Sequence, residues 1–378
     1  MSAETLEILE PGILTTVQDQ GRTGYQRFGV PVSGALDTYA LQVANIMVGN
    51  DETQAGLEIT VLGPKVRFLE DTWIALTGAD LTPLVDGEPV RPWQAVEARR
   101  GSVLAFGGTR DGARAYMAVA GGIDVPVVMG SRSTYVTGSI GGLEGRALRS
   151  GDVLATLPVD SNGQKIENRL PDHLAVPYYG HEQKIRVVLG PQDGAFTAQG
   201  IATFLGSEYS VSMDSDRMGC RLSGPKVEHV SGPDIVSDGT ALGAVQIPGD
   251  GKPIVLLADR GTTGGYTKIA TVISADIGNL VQAMPGDTVS FSAVSVDEAH
   301  AILRQRRGIL RDIRKAAGAD AGLSIVVDGE PFEVTDEAGK TMAWTEPPGE
   351  ESSTAAGRAK ATVDGRTYEF DVEVRRTE

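Results

Sequence analysis

The chain has 378 residues, and its 34 basic and 50 acidic side chains leave a net charge of −16. With 41% apolar residues it can bury a sizeable core, which excludes a wholly disordered chain. The acidic surface would repel a polyanion, so nucleic acid is not an expected partner.

At roughly 100–200 residues per domain, the length predicts two or three domains. The 48 glycines, about 13% of the chain against a typical ~7%, follow no collagen-like period and predict many short strands joined by tight turns. The opening Met1-Ser-Ala-Glu-Thr-Leu-Glu-Ile has no basic segment followed by an apolar one, so nothing marks secretion. A helix is predicted from Asp37 to Val48, ended by Gly49, with Ala40, Leu41, Ala44 and Met47 or Val48 on one stripe. Strands follow at 57–62, 72–77, 84–90, 103–106 and 115–120. The Asp86-Gly87 pair marks a tight hairpin, where glycine tolerates the positive φ of a primed turn. The second half repeats the style at 185–191, 209–213, 254–258 and 288–291, with a short helix between 192 and 205. The apolar run at Ile254–Ala258 is the longest, far short of the ~20 residues that span a bilayer, so the protein is expected to be soluble and cytoplasmic, without a membrane partner.

One phrase recurs, a turn that launches a strand: Arg100-Gly-Ser-Val-Leu, Ser150-Gly-Asp-Val-Leu and Pro285-Gly-Asp-Thr-Val. The last two each close a long β-rich block and point to two related barrel-like domains, joined by the polar stretch Asn162–Gln183. A helix over 296–317 begins with Ser295 and Glu298 in capping-box spacing, with Ala299, Ile302, Leu303, Leu310, Ile313 and Ala317 on one face. Its other face carries Arg304, Arg306, Arg307, Arg311, Arg314 and Lys315, ordinarily the solvated side of a docked helix. Residues 323–378 hold 13 acids and 6 bases. In them Val327-Asp-Gly-Glu-Pro-Phe and Val363-Asp-Gly-Arg-Thr-Tyr read as hairpins of a small β appendage, with a mobile loop over 346–357 between them.

Common catalytic signatures are absent. Gly249-Asp-Gly-Lys-Pro is the nearest approach to a phosphate loop and lacks its spacing and hydroxyl. Four scattered histidines and one cysteine make a zinc site, or any evident metal site, unexpected, and Cys220 reads as a small buried hydrophobe. What remains is five loops dense in Gly, Ser, Thr, Asp and Arg, starting near Thr16, Ala120, Ser215, Ser237 and Ala258. Glycines let backbone N–H groups converge on an anion, and an adjacent arginine adds a fork for carboxylate or phosphate. Each loop alone could be an ordinary barrel turn. Five together on an acidic chain point to a site for a small anionic or amide-bearing molecule.

These loops carry a family resemblance. Gly29-Val-Pro-Val-Ser-Gly-Ala-Leu-Asp37, Val119-Ala-Gly-Gly-Ile-Asp-Val-Pro126, Gly130-Ser-Arg-Ser-Thr-Tyr135, Ser215-Asp-Arg-Met-Gly219 and Asp259-Arg-Gly-Thr-Thr-Gly-Gly-Tyr266 resemble the allophanate hydrolase subunit 2 family, also called the 5-oxoprolinase C-subunit family or the AHS2-like biotin-dependent carboxyltransferases. The resemblance runs from about Leu6 to Leu310 and implies a mainly β fold of two cyclophilin-like β-barrel domains with few helices. With the tail, the expected division is residues 1–165, 183–317 and 323–378. It implies the C subunit of an ATP-dependent 5-oxoprolinase, a hydrolase that opens 5-oxoproline to glutamate. Such an enzyme would be active as a complex with a subunit 1-like protein and a third, lactam-binding subunit. ATP would then act through that complex. Other members resemble the carboxyltransferase of biotin-dependent urea carboxylases, or a regulator that antagonises a kinase inhibitor. The tail's hairpins resemble the opening strands of biotin carriers, but Lys340-Thr-Met-Ala is not a biotinylation site.

Either chemistry polarises an unreactive amide, which needs cations and N–H donors around its oxygen. At the positions of the family phrases, Arg217 and Arg260 are expected to bind the anion or carboxylate, with Asp216 and Asp259 orienting them or acting as general base. Ser131, Arg132, Tyr135, Gln246 and Tyr266 are further substrate-binding candidates, and Gly264 and Gly265 would offer close backbone approach.

Overall fold

A computed structural model describes residues 2–159 and 176–317, together with the strand backbone of two hairpins beyond residue 323. Most of the stretch expected to join the β blocks lies outside the described residues, and so do the Asp-Gly turns of the tail, Lys340 and residues 346–353.

The first half is built from two sheets around one core. The first runs Ile123–Asp124, Val153–Thr156, Ala3–Glu10, Lys65–Phe68, Val103–Phe106, Pro83–Val85, Glu88–Pro89. The second runs Leu14–Gln18, Gly56–Thr60, Asp111–Val119, Thr72–Asp80, Gln94–Ala98. Leu6, Ile8, Val66, Phe68 and Leu104 from one meet Val17, Leu57, Ile59, Ile74 and Met117 from the other. The Asp86-Gly87 hairpin is as expected, with φ of 51° and 85°.

Helix α1 (Thr38–Met47) covers the other face of the five-stranded sheet, packing Leu41, Ala44 and Met47 near Ala75, Tyr116 and Ala118. Asp37 caps it by accepting from the Ala40 N–H. The sheet is therefore buried on both faces, which puts the outward-pointing Glu58 and Tyr116 inside the protein. They are register partners on neighbouring strands.

The second half closes into a seven-stranded barrel in the order Glu182–Leu189, Lys268–Val272, Ala244–Gln246, Ile254–Leu256, Gly219–Ser223, Glu208–Val211, Thr288–Ala293. Val187, Val245, Val255, Ile269 and Phe291 belong to its core, as does the buried Cys220. Helix α2 (Ala198–Gly206) is capped by Thr197, within the expected region. A short helix, α3 (Ile277–Gln282), has too little amphipathic length to be read from sequence. A two-stranded ribbon, Asp234–Gly239 with Thr263–Tyr266, stands apart from the barrel ladder.

The recurring phrase is one structural device used three times. Gly101, Gly151 and Gly286 all take left-handed φ, at 87°, 88° and 94°. Each donates to the carbonyl of a neighbouring strand (Phe68, Ile8 and Val211) at 2.7–2.9 Å. The same three strand residues donate back to the carbonyl of Ser102, Asp152 or Asp287, so each turn is sewn on by a reciprocal pair. A left-handed position is cheap only for glycine, which fixes the phrase.

Helix α4 (Val296–Ala316) has the full capping box between Ser295 and Glu298. It docks through its C-terminal part, where Ile313 is buried and Ile309 and Leu310 pack against the α1 cluster. The basic face is not wholly solvated, which corrects the sequence reading. Arg306 stacks 4.5 Å from the Tyr39 ring, and Arg314 pairs with Glu52.

Met1–Ala317 form one compact unit and Gly318–Glu378 a second. In the second, Ser324–Val327 pairs with Glu330–Glu333 and Thr354–Val363 with Arg366–Arg375, both antiparallel, as the hairpin phrases predict. Thr354–Gly357, expected in a loop, open the longer strand.

Candidate functional site

The glycine-framed loops gather in two places. One is a buried polar seam between the halves, and the other lies where the ribbon meets the barrel.

In the seam, Gly34 has a φ of 87°, and a Cβ there would sit 2.8 Å from the backbone nitrogen of Gly21, so the two loops touch only because both residues are glycine. This close approach places Ser33 against the second half, where its hydroxyl lies 2.6 Å from Asp259 Oδ1. Arg217 enters from the barrel and is 7% exposed. Its Nε donates to Asp259 Oδ2 at 2.9 Å, Nη2 to the Gly34 carbonyl at 2.6 Å, and Nη1 to Glu58. Glu58 accepts further bonds from Tyr116 Oη and the Leu36 N–H, each at 2.8 Å. Burial opposes the arginine's charge, but Glu58 and Asp259 outweigh it and raise its pKa above the ordinary value. Burial, with Glu58 and Asp37 adding to it, pushes the Tyr116 phenol well up, so it remains a neutral donor.

Deeper in the seam Asp19 binds the 131–133 loop. Its Oδ1 accepts from Gly21 N and Ser131 Oγ, and its Oδ2 from Arg132 N at 2.5 Å. Ser131 is thereby committed to holding a loop. Arg132 turns outward to the Val125 carbonyl and to Asp124. Tyr135 is half-buried and bridges to Ile140. Arg22 is wholly enclosed and bonds the Ser133 carbonyl, while its Nε and Nη1 have no protein partner. Burial lowers its pKa, against the pull of Asp19 and Asp259.

Asp216 stands apart from both places. It is exposed and caps its own turn, accepting from Met218 N at 2.8 Å and Gly219 N at 3.0 Å. Asp259 orients Arg217, not Arg260.

At the ribbon, Arg260 is also 7% exposed, yet among the described residues it meets no carboxylate. It donates to the carbonyls of Leu257 and Thr240 at 3.1 and 3.3 Å, and burial alone lowers its pKa. Beyond Thr240 lies Gly264, where a Cβ would sit 2.5 Å from Gln246 Nε2 and 3.2 Å from Thr240 Cγ2. Gln246 is buried and its Nε2 has no acceptor among the described residues. A Cβ at Gly265 would make ordinary contact with the Ile235 carbonyl and Ser237 Oγ, at 3.7 and 3.9 Å, and Tyr266 stands half-exposed beside it. Arg260 and Gly264 thus both lie against Thr240, with Gln246 against Gly264 and Gly265 and Tyr266 following on the same ribbon strand, whereas the Arg217 guanidinium is taken by Glu58, Asp259 and Gly34.

Sequence reasoning missed Glu58, Ser33, Asp19 and Lys268. A glutamate alternating within an apolar strand was the available signal for the first. Among the described residues no group of three or more His, Cys, Asp or Glu is placed to hold a metal. In the Gly249–Gly251 loop, Gly251 N donates to Pro248 O and Lys252 N to Asp250, so these two N–H groups hold its own turn.

The profile of the carboxyltransferase domain, subdomain A and B, matches residues 28–293. The C subunit of 5-oxoprolinase from Escherichia coli is 40% identical over 294 residues, covering 78% of this chain and 93% of that protein. The chain belongs to the 5-oxoprolinase C-subunit family. The corresponding 5-oxoprolinase C subunit of Haemophilus influenzae is 34% identical over 82% of this chain and 98% of its own length. The urea amidolyase of Saccharomyces cerevisiae is 35% identical over 79% of this chain but only 17% of that protein. Among solved structures, Kluyveromyces lactis urea amidolyase superposes with a TM-score of 0.77 at 33% identity, covering 83% of this chain and 20% of that one. Urea carboxylase of the same yeast gives 0.78 at 31%, over 94% and 31%. Family members therefore stand alone as subunits or lie within much longer enzymes.

Proposed function

We propose that this chain is the C subunit of an ATP-dependent 5-oxoprolinase, acting in the cytoplasm with a subunit 1-like protein and a third, lactam-binding subunit to open 5-oxoproline to glutamate. The observation that carries this reading is the 40% identity to a 5-oxoprolinase C subunit across 93% of that relative. ATP would act through the assembled complex, as the family resemblance implies.

Within this reading the two polar regions divide the work. Arg217 and Asp259 are positioning residues: with Glu58 they fix the seam and the loop that leads to Arg260. Arg260, a buried cation that meets no carboxylate among the described residues, is the group that meets negative charge developing on an amide oxygen, where fixed donors in a dry site act most strongly. Gln246, Gly264, Gly265 and Tyr266 line the same place. Ser131, Arg132 and Tyr135 shape the neighbouring loop.

Co-expression of the chain with its neighbouring subunits, followed by an assay of ATP- and lactam-dependent glutamate release, tests the reading. Glutamate release is expected to require this chain, and release in its absence would refute it. The similarity to urea amidolyases supports a second reading as a carboxyltransferase component, which urea-dependent loss of carboxybiotin would favour instead.

A further inference from the structure

Gln246 and Lys268 are register partners on adjacent strands of the closed barrel, beside a bulge at the end of the ladder. Register partners project to the same face, so their side chains stand next to each other. The Lys268 side chain is 3% exposed, and its one acceptor among the described residues is Asp238 Oδ2, 3.1 Å away. Gln246 Nε2 is buried on the neighbouring strand and has no acceptor among the described residues. Unpaired buried donors cost free energy and are kept in native structures for a reason. Two such groups together, one neutralised by a single carboxylate and one unspent, form a seat for an anion with a second acceptor oxygen.

Asp238 itself is not part of the barrel. It lies on the ribbon strand Asp234–Gly239, and its side chain is 57% exposed. The Lys268 ammonium, with help from the Gly239 N–H and the Gln192 side chain, holds its carboxyl below the usual range, so it is ionised when it sits there. The lysine cannot leave the barrel wall without carrying a bare charge, whereas the aspartate can turn into water once another carboxylate takes its place.

We propose that Lys268 and Gln246 bind a small amide that carries a carboxylate, and that Asp238 occupies the anion position until this ligand displaces it. The exchange is one carboxylate for another, so the buried ammonium is never left unpaired. The Gln246 amide then donates to a further oxygen of the ligand. A neutral amide cannot exchange with Asp238, which makes the seat selective for the acid. This deepens the lactam reading above and rests on it for the identity of the amide, but not for the seat.

Calorimetric titration of the full-length chain with 5-oxoprolinate, N-carbamoylglycinate and the neutral lactam 2-pyrrolidinone tests the proposal. Asp238→Asn, which keeps the side chain's shape and removes the competing carboxylate, is expected to tighten binding of the anionic amide at least about threefold, because the seat is no longer shared. Lys268→Gln is expected to weaken it at least about tenfold, and Lys268→Arg to restore part of the loss. Unchanged or weaker binding in Asp238→Asn, equal binding of 2-pyrrolidinone, or no binding of either anionic amide would overturn the proposal. Binding of N-carbamoylglycinate but not 5-oxoprolinate, still tightened by Asp238→Asn, would keep the seat and remove the lactam as its ligand.

Discussion

Arg217 of the barrel half and Glu58 of the two-sheet half form an ion pair in which both side chains are buried, and Asp259 completes it from the arginine's other edge. The pair crosses 159 positions of sequence. Two carboxylates and one guanidinium taken out of water are tolerable only because nearly every donor and acceptor is used: the Gly34 carbonyl, Leu36 N–H, Tyr116 Oη and Ser33 Oγ fill the remaining places.

Arg217→Met should therefore act on stability. It strands Glu58 and Asp259 without their cation, at a cost of about 3–5 kcal/mol. Arg217→Lys keeps the charge but loses the fork and should fall between. Urea denaturation checks this, and an unchanged midpoint for Arg217→Met would show the pair to be dispensable.

Gln282 at the end of α3 is a second clasp between the halves. Its Oε1 accepts from Ala113 N and Arg114 N at 3.0 and 2.9 Å, while Nε2 donates to Asp37 Oδ2 and Arg114 O. Gln282→Ala would leave several buried groups unpaired, at about 1–3 kcal/mol for each group that water does not reach. Gln282→Glu should be worse, since a carboxylate cannot donate to Asp37. Thermal melts of the two variants give the comparison.

The turn at Ser150-Gly-Asp predicts a pH effect. Asp152 receives both terminal nitrogens of Arg146 at 2.7 and 2.9 Å, and that bonding lowers its pKa, with Arg149 N contributing. A depressed carboxyl stabilises the fold fully above its unfolded value of about 3.9, and the contribution disappears as pH falls through the folded value. Asp152→Asn should thus be destabilised by about 1.5–3 kcal/mol at pH 7 and converge on the parent well below pH 3.9. Melting curves between pH 2.5 and 7 would reveal the convergence or its absence.

Much of this architecture was legible in the residues. The α4 capping box, the Asp86-Gly87 hairpin and the three glycine turns are local devices, with donors and acceptors a few residues apart. The seam was not legible. Strand alternation assigns Glu58 to an outward face, and only the arrival of α1 and the barrel makes that face an interior. Arg217 and Arg260 read alike in sequence, each beside an aspartate in a glycine-rich loop. Tertiary contacts alone distinguish an arginine saturated by two carboxylates from one that meets only carbonyls. Lys268 was hidden for a similar reason: its burial follows from barrel closure.

Cys220 offers a check on the barrel core. Burial pushes its thiol up to about 11, against a weaker opposing hydrogen bond from Ser215. Reactivity follows the thiolate, so the native protein should be alkylated by iodoacetamide at pH 8 far more slowly than the denatured chain. Comparable rates would place Cys220 outside the core.

The central claim is that Arg217 holds the frame while Arg260 meets the substrate's charge, and steady-state kinetics with thermal melts on Arg260→Gln and Arg217→Gln in the assembled enzyme test it most directly. Arg260→Gln removes a buried cation that has no carboxylate among the described residues, so it should keep or raise the melting temperature while kcat/KM falls at least about 10²-fold. Arg217→Gln should lower the melting temperature by several degrees. Full activity in Arg260→Gln, or a melting temperature unchanged by Arg217→Gln, would contradict the assignment.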